Sequence, residues 1–134
     1  MGDIFIISGI QQMGIGVPEV YSAWQWYKEH FGVNLKLFDE KAIADIMAPY
    51  MGGAERERHA ILTLNLQGGG GFEIWQHLSH DPNPASFDIL PGDLGIFACK
   101  IKSKDIIESH RILEEKDADI SPIFTEKTQH RFFY

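Results

Sequence analysis

The sequence predicts an α+β fold built from two β-α-β-β-β modules, the second lacking its last strand. Short apolar runs with a period of two mark strands, and two stretches with helical spacing mark helices. The same element order then recurs on both sides of a proline-rich stretch, which makes it an internal repeat. The first module is expected over Ser8–His77, a linker over 78–92, and the incomplete second module over 93–134.

In the opening strand, Met13, Ile15 and Val17 alternate with Gln12, Gly14 and Gly16. One face is packed, and the glycines thin the other, as where something approaches the backbone closely. Pro18 is expected to open a helix, with Glu19 suited to its positive end. Val20, Trp24, Tyr27 and Phe31 form one stripe, and Gly32 is the C-terminal cap. Val33, Leu35 and Leu37 mark the second strand. Ala42 to Met47 reads as a short helix or an irregular strand, followed by a solvated turn up to Arg58. Two antiparallel strands come next, His59 to Leu66 and Phe72 to His77, joined by a glycine hairpin.

Beyond the linker, Ile96 to Ile101 reads as a strand, with Cys99 packed beside Phe97 and Ile101 as a small hydrophobe. Ser103 is the expected cap of a helix in which Ile106, His110 and Leu113 share a face. Asp119 to Ile123 and Gln129 to Tyr134 read as further strands.

Twelve Lys and Arg against nineteen Asp and Glu give a net charge of −7 in 134 residues. Nucleic acid needs a basic footprint and anionic lipid a basic surface, so neither is an expected partner. Ile4 to Ile7 follows Asp3 with no basic flank, so neither a signal peptide nor a membrane span is expected. A single cysteine, Cys99, permits no intrachain disulfide and fits a reducing cytoplasm.

The order of these elements, with Ile10 to Val17, Trp26-Tyr27-Lys28…Phe31-Gly32, Gly71-Phe72-Glu73-Ile74 and Leu94 to Ile101, resembles the vicinal oxygen chelate superfamily. That superfamily contains glyoxalase I, bleomycin-resistance proteins and extradiol dioxygenases. The resemblance spans almost the whole chain and implies curved mixed sheets around a cleft, a glyoxalase-like fold. Metal-bearing members place one ligand on the first strand and one on the last strand of each module. They coordinate a divalent ion through N and O donors and leave positions open for substrate oxygens.

Carried over position by position, the ligand of the first strand falls on Gln12 and that of the last strand on Glu73. Glu73 lies between apolar Phe72 and Ile74, on the side of Trp75. A carboxylate there must be paired, coordinated or solvated in a cavity, and Glu73 is the candidate catalytic group. The next ligand position falls on Ile96, which cannot bind metal, and the fourth lies on the missing strand. A Zn, Ni, Mn or Fe ion therefore keeps at most two of its three or four protein donors. His59 and Asn65 are expected at the cleft with Trp75 and Gln12, on a cavity-facing series with Ile61 and Thr63. His130 holds the equivalent place in the second module. His77 and His80 have a loose ligand-like spacing, at the end of a strand.

Two functions follow from the resemblance. One is a glyoxalase-like lyase or isomerase that uses Glu73 with a divalent metal. The other is a metal-free protein that sequesters a small molecule in the same cleft, supported by Ile96 and the glycine- and aromatic-lined wall. A homodimer is expected to cover the sheet edge left open in the second module.

Overall fold

The structure is a computed structural model that describes residues 10–66, 70–127 and 132–133. Its first half is a four-stranded mixed sheet with one helix across it. The elements are β1 (Gln12–Gly16), α1 (Val20–Phe31), β2 (Leu35–Ile43), a 3-10 turn (Ala48–Tyr50), β3 (Glu57–Leu64) and β4 (Gly71–His77). Strand order is β1-β4-β3-β2, with β1 parallel to β4 and the other pairs antiparallel.

Helix α1 starts two residues later than Pro18. Glu19 is the N-cap, its carboxylate accepting from the backbone N–H of Tyr21 at 3.0 Å and of Ser22 at 2.7 Å. The side-chain oxygen of Gln76 on β4 accepts the N–H of Val20 at 3.1 Å, which ties the helix start to the sheet. At the other end, Gly32 closes the helix at φ 63°, a left-handed conformation that glycine adopts without a Cβ penalty. The stripe expected on α1 forms as read. Val20 is fully buried with Val33, Ile61, Phe72 and Ile74, and Trp24, Tyr27 and Phe31 pack against this core.

A polar seam runs beside these apolar contacts on the helix face of the sheet. The Thr63 hydroxyl donates to the Val33 carbonyl at 2.5 Å, and the Trp24 indole N–H donates to the Thr63 oxygen at 3.2 Å. Buried polar groups are tolerable because they are paired in this way.

Strand β2 departs from its expected bounds. It begins at Leu35, shifts register between Lys36 and Phe38, and continues to Ile43. Val33, which precedes the strand, is buried while Leu35 and Leu37 are exposed, so the alternation of the three does not hold; the bulge lies beyond Leu35, at Leu37. Of the two readings for Ala42 to Met47, neither describes the whole stretch. The strand ends at Ile43, and a turn over 45–47 leads into the 3-10 turn.

The second half holds α2 (Ile106–Glu115) and a ribbon of β5 (Glu126–Lys127) and β6 (Phe132–Phe133). Asp105, rather than Ser103, caps α2, accepting the N–H of Glu108 at 3.0 Å. The Ser103 hydroxyl instead bonds the Asp105 carbonyl and the Ser109 hydroxyl. His110 bonds the Ser121 carbonyl through Nε2 at 3.1 Å.

The strands expected at Ile96–Ile101 and Asp119–Ile123 are irregular chain. Period-two apolar patterning needs a partner edge to become a strand, and residues 96–101 pair with none among the described residues. Cys99 is accordingly exposed rather than packed. Of the strand expected over Gln129–Tyr134, only Phe132–Phe133 is described; His130, the N-terminal residues 1–9 and the hairpin residues 67–69 lie outside the described residues. Among the described residues the fold is therefore α+β, with two α-helices, a four-stranded mixed sheet and a two-stranded ribbon.

Candidate functional site

The pleat of β4 divides its residues between two environments. Phe72, Ile74 and Gln76 face α1, and Gly71, Glu73, Trp75 and His77 face the other side. The parallel register sets Gly14 beside Glu73 and Gly16 beside Trp75. Gln12 thus shares the face of Glu73 from the neighbouring strand.

Here the two strands form a small polar cluster. The Gln12 amide Nε2–H donates to Glu73 Oε2 at 2.5 Å, and the Trp75 indole N–H donates to Glu73 Oε1 at 2.8 Å. Each carboxylate oxygen therefore has a neutral donor. Glu73 makes no ion pair among the described residues.

A cleft of about 480 Å³ opens over this cluster. Gly14, Ile15 and Gly16 of β1 form one wall, Glu73, Trp75 and His77 of β4 the floor, and Met47 and Met51 the far side. The volume lies within the roughly 300–1,000 Å³ of small-molecule sites. A Cβ added at Gly14 or Gly16 would meet nothing within 4 Å, so the glycines hold this wall open.

The floor continues past Trp75 into histidine. The His77 ring centroid lies 6.3 Å from that of Trp75 and 4.6 Å from that of His80. Burial lowers the His77 pKa from its ordinary value, with smaller contributions from the charges of His80 and Arg56. Beside the floor, the Arg58 guanidinium carbon stands 5.1 Å from the Trp75 ring centroid, and its Nη2 meets Glu40 Oε1 at 2.6 Å.

Of the five residues expected at the site, Gln12, Glu73 and Trp75 come together, whereas His59 and Asn65 lie elsewhere. In the antiparallel register Leu62 stands opposite Glu73 and Ala60 opposite Trp75. The cleft face of β3 is therefore Arg58, Ala60, Leu62 and Leu64, and Ile61 and Thr63 face the helix. His59 is buried on that helix side, 2.6 Å from Asp39 and edge-on to the Tyr21 ring. Asn65 donates to the Phe31 carbonyl at 2.7 Å and so braces the end of α1.

The residues present do not fit the metal site that the resemblance implies. Gln12, the other expected ligand, turns its amide N–H rather than its oxygen towards Glu73, and the Trp75 indole beside it offers no metal-ligating atom. Ile96, at the next ligand position, is 74 % exposed on irregular chain. No three His, Cys, Asp or Glu side chains converge on a common point among the described residues.

Met47, Met51 and Arg58 stand at or beside the cleft without a local sequence signal that marks them. The two methionines come from a turn with no periodic signal, while Arg58 follows from the parity of a hairpin once Leu62 is set opposite Glu73. Among the described residues, no helix is long and apolar enough to cross a membrane. Comparison of the chain with family models, with curated proteins and with solved structures gives no match.

Proposed function

We propose that this chain is a glyoxalase/bleomycin-resistance-like protein that holds a small molecule in the Glu73 cleft without a metal. The observation that carries the reading is a cleft of small-molecule size with a carboxylate at its floor, fixed by Gln12 and Trp75. Pre-positioning of this kind lowers the ordering cost of binding, because the polar group is held before the ligand arrives. The exposed glycine wall admits a ligand close to the backbone, and Trp75 supplies apolar area with a spectroscopic handle. The resemblance of the sequence to the vicinal oxygen chelate superfamily supports the same reading. So does the β-α-β-β-β order from Gln12 to His77.

The alternative, a metal-assisted lyase or isomerase acting through Glu73, draws less support because the donors around that carboxylate are N–H groups. Metal analysis separates the two readings. Purified protein is expected to carry no stoichiometric Zn, Ni, Mn or Fe, and one equivalent of any of them sinks the metal-free reading. Binding itself is tested by screening small molecules against the full chain while Trp75 fluorescence is followed, with Trp75→Phe identifying its signal among three tryptophans. A homodimer in a reducing cytoplasm belongs to the same proposal, supported by the lone cysteine and the exposed apolar residues beyond the first module.

A further inference from the structure

We infer that the Glu73 cleft takes a compact organic monocation, an amine or quaternary ammonium on an apolar or aromatic body. This rests on the binding reading above and names the chemistry of its ligand. Among the described residues that line the cleft, Glu73 carries the only formal carboxylate or basic charge. Its two hydrogen-bond donors are an amide and an indole, neither of which brings positive charge. The carboxylate is thus held in place and hydrogen-bonded, yet its charge is not neutralised. Each oxygen accepts one of these bonds and retains lone-pair capacity for an ammonium N–H.

Neighbouring cations do not fill this role. Arg58 lies beside Trp75, but its guanidinium meets Glu40 at 2.6 Å, so that pair is locally balanced. His77 lines the cleft, and burial, with smaller contributions from His80 and Arg56, lowers its pKa and so favours the neutral ring. The remaining walls are an indole, two thioethers and an aliphatic side chain, polarisable surfaces that suit alkylated or aromatic ammonium groups. An overall charge of −7 draws cations towards the molecule. One observation points the other way. Arg58 Nη1 is buried without a partner among the described residues, which would favour an anion. The test therefore includes one.

Calorimetric titration of the full chain with 2-phenylethylammonium, 2-phenylethanol and phenylacetate holds the aromatic body nearly constant and varies the charge. The ammonium is expected to bind at least about tenfold more tightly than the alcohol, with phenylacetate weakest. In Glu73→Gln the preference for the ammonium over the alcohol should vanish. Equal binding of ammonium and alcohol, or a preference for phenylacetate, overturns the cation assignment and leaves a binding cleft. No heat and no change in Trp75 fluorescence with any of the three overturns the cleft reading and the cation assignment together. If Glu73→Gln does not fold by circular dichroism, the charge series on the unmodified protein decides alone.

Discussion

Glycine occupies positions in this sheet for two different reasons, and substitution separates them. At Gly71 a Cβ would stand 2.2 Å from Leu64 Cδ2 and 2.6 Å from the Thr63 carbonyl oxygen. Gly71→Ala is therefore expected to lower stability by about 1–3 kcal/mol through overpacking, seen as a lower urea midpoint. Gly14 faces open space, so Gly14→Leu should leave that midpoint nearly unchanged and abolish ligand binding in the cleft. Equal loss of stability in both variants would contradict this division. Asp39 provides a third test at this scale. The His59 hydrogen bond, and next the one from Lys36, hold its carboxyl below its ordinary pKa. Its stabilisation is present above the unfolded-state value and fades as pH falls from there through the depressed folded value. Asp39→Asn should therefore destabilise at neutral pH and match the parent more closely in strong acid, as read by urea unfolding at both pH values.

Among the elements, α1 and β4 carry most of the core, since Val20, Phe72 and Ile74 meet there with Ile61. Ile74→Ala is expected to cost about 2–5 kcal/mol, measured by chemical unfolding, because its side chain is fully buried. Much of this architecture was legible from local pattern. The α1 stripe, the β1 alternation and the shared side of Glu73 and Trp75 depend only on spacing within one element. The facing of β3 does not. His59, Ile61 and Thr63 alternate just as cleanly with Ala60, Leu62 and Leu64, and the choice between the faces is made by register against β4. That is why local pattern sets Glu73 and Trp75 on one side of β4, whereas the side taken by His59 depends on the pairing of β3 with β4. The helix N-termini shift for a related reason, whereas Gly32 caps α1 as expected. Glu19 and Asp105 act through side-chain bonds to specific N–H groups, and Pro18 and Ser103 were equally reasonable from composition.

Across the whole molecule the apolar surface is unevenly covered. Leu90, Leu94, Ile96, Phe97 and Ile101 are all exposed on chain without regular structure. The dimer proposed above would cover such residues, and on that proposal light scattering is expected to return the mass of a dimer. A monomer from micromolar to millimolar concentration would contradict that assembly and leave the cleft chemistry untouched. The topology also bears on how the chain acquires its structure in time. Strands β2, β3 and β4 pair with sequence neighbours, but Gln12 reaches Glu73 across 61 positions. Closing so long a loop is entropically expensive, and such contacts form slowly. The β2-β3-β4 meander is therefore expected to assemble first, with β1 adding afterwards. In kinetic terms, substitutions in β1 should accelerate unfolding while leaving the folding rate almost unchanged. By that order the cleft is the last part of the sheet to close and the first to open.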